Sequence, residues 1–268
     1  MKKVWLILLA FIITLSSAMY QRITGPTYPR KDKILIDGKT YHLVFIRSHT
    51  SESDAPLKFN LPKNYSVRVF YKRYPSDESW QEILVSLEDS LQCFYLPKQP
   101  PAGKLEYYIT IIDYTGKEIY SNIQKPVIIR FKGKVPLAIL LSHILFMFLA
   151  MFFSTLAGIY AIFKIDSYRS LTFVTIILLF IGGLILGPIV QKYAFGAFWT
   201  GVPFGWDLTD NKTLIIFLGW LIAALANYNK PRRGYVIFAS VLMLVIYLIP
   251  HSLYGSQLDY KSGKVVQG

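Results

Sequence analysis

Polar and apolar residues are interleaved in the first half of the chain and separate into long blocks in the second. An apolar run fills Val4–Leu15, behind Lys2 and Lys3 and ahead of the small residues Ser16, Ser17 and Ala18. That order is the layout of a secretory signal over residues 1–19, with cleavage after Ala18, or of an uncleaved anchor helix. Both readings carry the next residues out of the cytoplasm. From residue 20 to 134 the apolar positions come in short alternating or aromatic-rich runs: KILID, YHLVFI, YSVRVFYKRY, WQEILVSL, LQCFYLP, LEYYITIID and KPVIIRF. Turn signals separate them at Asp37-Gly38, Pro62-Lys63-Asn64, Pro75-Ser76-Asp77, Pro100–Gly103 and Thr115-Gly116. About seven short strands with such turns predict an antiparallel β-sandwich over 20–134.

Beyond Lys134 the pattern changes period. Val135–Phe163 and Leu171–Val190 contain no Asp, Glu, Lys or Arg, and each is long enough for a tilted membrane span. Gly182-Gly183 and Gly187-Pro188 predict close helix approach and then a bend. Leu214–Tyr228 and Tyr235–Pro250 are shorter runs, read as helices anchored at the interface by Trp220, Tyr228 and Tyr235. The fold class is therefore an α+β membrane protein: signal or anchor, extracytoplasmic sandwich, four transmembrane helices over 135–250, and a polar tail at 251–268.

Charge fixes the expected orientation. Lys2/Lys3, Lys164/Arg169 and Lys230/Arg232/Arg233 fall on one side if each late run spans once. By the positive-inside rule that side is cytoplasmic, which puts the sandwich, the loop at 192–213 and the tail outside. The net charge of +13 is spread through short links and sheet strands, with no basic stripe interleaved with base-stacking aromatics. Nucleic acid is thus excluded as partner, and the lipid bilayer is the acidic surface expected. One cysteine, Cys93, rules out an internal disulfide framework.

The candidate site is the loop Lys192–Thr213, KYAFGAFWTGVPFGWDLTDNKT. It combines glycines, aromatics and two acids, and Trp199, Trp206, Asp207, Asp210 and Asn211 are its candidate ligand-binding residues. Glycine lets backbone approach a flat partner, and aromatic faces stack on one. The competing structural reading makes Thr209 or Asp210 a helix cap and the aromatics an interfacial belt.

The helical half also resembles the tryptophan-rich haem-handling membrane proteins of cytochrome c biogenesis. Their outer loop carries a Trp-Gly-x-x-Trp-x-Trp-Asp pattern running into a helix. Phe195-Gly196-Ala197-Phe198-Trp199 and Trp206-Asp207 are similar to it, with Phe195 in place of the first Trp and residues 200–205 inserted between the two tryptophans. The resemblance implies haem as cofactor and His143 and His251 as ligands of its iron. In the same way, YLPKQPPAGKLEYYITIIDYTGKE resembles the late strands of an immunoglobulin-like or fibronectin-type domain, which implies a corner tyrosine at Tyr107 or Tyr108.

An enzyme using Asp207 and Asp210 with His251 is the third reading. No HExxH, GxSxG, Walker or kinase-like motif supports it, so the balance leans away from catalysis. The reading that asks least of the sequence is a non-catalytic binding or assembly role centred on the loop. Its partners would be the bilayer and other membrane or envelope proteins.

Overall fold

The computed structural model describes residues 2–84, 86–88, 91–250, 253 and 255–267. The chain forms two units, one of Met1–Pro26 with Val135–Ser256 and Gln267–Gly268, the other of Thr27–Lys134 with Gln257–Val266. The class is α+β: an apolar N-terminal helix, mixed β-sheets, then four long helical segments.

In the helical unit, α1 (Lys2–Thr24) runs through the apolar block and on to Thr24. Next come α2 (Leu137–Ile162) and α3 (Tyr168–Leu179), which continues as a π-helical segment (Phe180–Leu186) into α4 (Gly187–Phe195). α5 (Leu208–Asn229) and α6 (Arg233–Leu248) complete it. Four helices are long and apolar enough to cross a membrane: Lys3–Thr24, Leu137–Ile162, Tyr168–Phe195 and Leu208–Asn229. α6 is shorter, at 16 residues.

α2 packs against α1, α3 and α6, while α5 packs against α3 and α6. Their shared core includes Ala10, Met151, Ala157, Trp220, Ala223, Ala239 and Met243. Small residues let the backbones close up. A Cβ on Gly182 would lie 2.9 Å from Phe146 Cβ and 3.0 Å from Met147 Sδ, and one on Gly183 would lie 2.8 Å from Thr213 Cγ2. The glycine pair therefore brings the π segment against α2 on one side and α5 on the other. The bend expected there takes the form of a π segment inside one continuous helix. Outward faces remain apolar: Leu141, Ile177, Ile222, Leu225 and Phe238 are all exposed, as suits helices in contact with lipid.

The β unit has a hairpin of β1 (Arg30–Ile36) and β2 (Lys39–Phe45) turning at Asp37-Gly38, as expected. A six-stranded sheet runs β3 (Ser48–Thr50), β11 (Val127–Lys132), β9 (Lys104–Ile112), β5 (Ser66–Arg73), β6 (Gln81–Ile83), with β10 (Glu118–Ser121) also paired to β9. A three-stranded sheet orders β4 (Ala55–Phe59), β8 (Leu91–Leu96) and β7 (Ser86–Glu88). The sheets enclose one core in which Phe45, Phe59, Phe94 and Phe131 are at most 2% exposed. Burying each contributes about 2 kcal/mol. Alternation produces this: β5 buries Val67 and Val69 and turns Ser66 and Arg68 outward.

One pairing departs from the all-antiparallel expectation. β3 lies parallel to β11, with Arg130 opposite Ser48 and Lys132 opposite Thr50. The short link after β2 carries the chain to the far edge of the other sheet. Tyr107 Oη holds that link, donating to Ile46 O at 2.9 Å. Tyr107 is thus the tyrosine bonded to upstream backbone, but its partner is this crossover and not a local corner. Residues 257–266, expected as free polar tail, instead join the β unit. Leu258 N donates to Ala102 O, and Tyr260 Oη both donates to Lys104 O and accepts from Lys104 N.

Candidate functional site

The loop between α4 and α5 is closed by its own acids. α5 starts six residues before the apolar run because Asp207 caps it, its Oδ1 accepting from Thr209 N at 2.8 Å and Asp210 N at 3.4 Å. The cap is therefore Asp207, and neither Thr209 nor Asp210. Its other oxygen accepts from Ser256 Oγ at 3.2 Å. One turn on, Asp210 points back into the loop. Its Oδ2 accepts from Thr200 N at 2.6 Å, Gly201 N and Gln191 Nε2 at 3.1 Å each, and Thr200 Oγ1 at 3.2 Å. Asn211 Oδ1 takes Val202 N at 2.8 Å, and Trp199 Nε1 donates to Val202 O.

The first turn of α5 thus gathers three consecutive loop residues, 200–202, and Trp199 closes onto the last of them. Gly201 is required by that closeness, since a Cβ there would sit 2.7 Å from both Asn211 Oδ1 and Asp210 Cβ. The close approach at Gly201 is to the loop's own side chains. Lys212, also buried, donates to Ile249 O at the end of α6. Of the five candidate residues, Asp207 and Asp210 are no more than 5% exposed, and Trp199 and Asn211 are partly buried. Trp206 alone stands out, 72% exposed, beside Phe204 at 80% and Phe198 at 57%. Lys192 Nζ lies 5.4 Å over the Phe198 ring and donates to Gly196 O. The loop is a braced frame carrying an aromatic outer surface.

Of the two histidines, His251 lies outside the described residues. His143 Nδ1 is 2.9 Å from Gly182 O in the π segment. A carbonyl accepts, so Nδ1 carries the proton and Nε2 is left as the acceptor or ligand atom.

The β unit carries a second polar feature, on the YSVRVFYKRY strand, where Arg68, Lys72 and Arg73 are legible in the sequence as a cationic face. Lys72, Arg73, Tyr74, Glu78, Glu106 and Tyr260 line part of a groove of about 670 Å³. The cations on this face are spent on acids: Arg68 pairs with Glu82, Lys72 with Glu106 and Arg73 with Glu78. Arg68, Phe70, Tyr108, Trp80 and Lys72 contact one another in turn, the Phe70 and Tyr108 rings stacked 4.8 Å apart and Trp80 edge-on to Tyr108. That is a paired and stacked sheet face. At its end Lys104 is buried, with Nζ donating to Gln257 Oε1 at 2.7 Å. Burial, with Arg130 nearby, pulls its ammonium pKa down to about 8.

No protein family, curated protein or solved structure matches this chain. Among the described residues, no three His, Cys, Asp or Glu side chains gather as a metal-ligand group.

Proposed function

We propose that the protein is a multi-pass membrane protein with an immunoglobulin-like extracytoplasmic domain and a non-catalytic binding or assembly role centred on the outer loop. The observation that carries this reading is the division of labour inside 196–211. The acids and Asn211 face inward onto backbone donors, while Phe198, Phe204 and Trp206 face outward on a frame they do not themselves hold. Large aromatics on a pre-braced surface are the usual energetic centre of a protein interface. Both carboxylates are occupied by the chain's own donors, which favours binding over acid–base chemistry at Asp207 and Asp210. The positive-inside pattern supports placing this loop and the sandwich outside, with the bilayer and a membrane or envelope protein as partners.

The test is a photo-crosslinker at position 204 in living cells, followed by purification in mild detergent. A discrete protein adduct, lost in Trp206→Ala with expression unchanged, is expected. Crosslinks to lipid alone would reassign the aromatics to the interfacial belt.

A second reading, haem handling, is favoured by one observation. His143 is oriented by a backbone carbonyl in the way that outer-sphere hydrogen bonds orient metal-ligating histidines. His143 and His251 would hold the iron, and the chain's part would be to keep the ring in one tautomer. Purified protein loaded with haem should then give a Soret band that His143→Ala removes; no band in the wild type ends this reading.

A further inference from the structure

The turns joining α2 to α3 and α5 to α6 converge at one end of the helical unit. Arg169, in the first turn of α3, donates through Nε and Nη2 to Asn227 O at 3.2 and 2.8 Å, and through Nη2 to Tyr228 O at 3.0 Å. Asn227 then folds the second turn, with Nδ2 donating to Arg232 O and Oδ1 accepting from Arg232 N at 2.8 Å. The two turns together hold Lys164, Arg169, Lys230, Arg232 and Arg233 against one acid, Asp166. Lys164, Lys230, Arg232 and Arg233 are exposed, and none forms an ion pair among the described residues.

Two further features belong to this junction. At the amino end of α6, where Arg232 and Arg233 sit, Asn227 takes Arg232 N and Arg232 O takes Tyr235 N. The N-cap residue makes no side-chain cap bond, which leaves the N–H groups of Arg233 and Gly234 beside the cluster. Tyr168 is 1% exposed, and its hydroxyl has no hydrogen-bond partner. The charges acting on that hydroxyl are Arg169, Arg233 and Asp166. A buried donor left unmade is costly, and an acceptor presented among these cations would satisfy it.

We infer that this junction is a binding site for the phosphate of an anionic phospholipid headgroup. The phosphodiester would accept from the Tyr168 hydroxyl and the α6 amino end and be neutralised by Arg232 and Arg233, with Lys164 and Lys230 at the rim. Arg169 is a positioning residue, since its guanidinium is committed to the carbonyls at the end of α5. A lipid is the source favoured over a soluble anion, because the site lies at the ends of helices apolar enough to span, whose outward faces leave room for acyl chains. The inference rests on the spanning reading of the helices and is independent of the outer loop.

Native mass spectrometry of the full chain in detergent, titrated with phosphatidylglycerol or phosphatidylcholine, tests it. Phosphatidylglycerol should be retained preferentially, and Arg232→Gln/Arg233→Gln should weaken its retention by roughly tenfold or more. Tyr168→Phe should weaken it about threefold while leaving the lipid-free melting temperature unchanged or higher, because it removes an unsatisfied hydroxyl. Equal retention of both lipids overturns the site. So does a preference that survives both variants, and so does inorganic phosphate binding as tightly as the lipid.

Discussion

Asp210 in the helical unit and Lys104 in the β unit are both buried ionisable side chains, and the fold treats them in opposite ways. Asp210 accepts from four donors at one oxygen, three of them on Thr200 and Gly201. Lys104 Nζ donates to one amide oxygen, that of Gln257, and has Arg130 as a like-charged neighbour. A buried charge stabilises only when its hydrogen-bonding capacity is filled; otherwise the desolvation cost exceeds the gain. Asp210 is thus scaffold, a point around which a loop is organised. Lys104 is a tolerated cost in the place where the C-terminal segment returns to the β-sheet.

Replacing the two residues should therefore have opposite signs. Asp210→Ala strands two backbone N–H groups and the Gln191 amide, and should cost about 4 kcal/mol, the largest single loss expected in this loop. Thermal unfolding in detergent reads it. A new cysteine at 202 should also label faster in the variant. A loss under 1 kcal/mol would mean that the loop holds its shape without the acid, and the contrast with Lys104 would collapse.

Lys104 gives the next effect, through pH. Its folded pKa, about 8, lies below the ordinary lysine value of 10.5, so between those limits the unfolded chain binds more protons than the folded one. Stability must then rise with pH across that window. Below pH 8 the full cost of the buried ammonium is present, and it is relieved progressively as the pH climbs toward 10.5. The total is about 3 kcal/mol. Lys104→Met should flatten the slope and raise stability at pH 7. A wild-type profile that is flat or falls between pH 8 and 10 would show that the ammonium is better solvated than the Gln257 oxygen and the Tyr74 ring beside it indicate.

These two residues also show what the sequence made legible. The helical blocks could be read because nothing charged interrupts Val135–Phe163 or Leu171–Val190, and a bilayer permits no other backbone solution for such runs. The first turn of α5 was harder to read for the converse reason: Thr209–Thr213 is polar, so the sequence offers an apolar start at Leu214 or a cap at Thr209 or Asp210, and Asp207 emerges as the cap only from its bonds. β4, Ala55–Phe59, was missed because Pro56 argues against a strand. It is tolerated here on the edge of the three-stranded sheet. In the candidate site, the sequence singled out a cluster whose acids the fold turns onto the chain's own donors. Asp210 and Asn211 stand together because they hold residues 200–202, and Asp207 because it caps the helix that carries them, and no local pattern shows whether an acid faces its own backbone or a ligand. The return of 257–266 to Lys104 was illegible, since a polar tail and a strand start about 150 residues apart carry no mutual signal.

Asn211 offers the finest test of the comparison, because it does Asp210's work with a single bond. Its Oδ1 accepts from Val202 N at 2.8 Å, one residue beyond the pair of N–H groups that Asp210 holds, and the site is open enough for water to compete. Asn211→Ala should then cost about 1 kcal/mol, the ordinary net value of one hydrogen bond. If donor count at the acid governs the loop, the double change with Asp210→Ala should cost little more than Asp210→Ala alone, since a loop already released no longer presents Val202 to position 211. A double-variant loss equal to the sum of the singles would instead make the two side chains independent clamps, and the aromatic surface would rest on two supports of unequal strength.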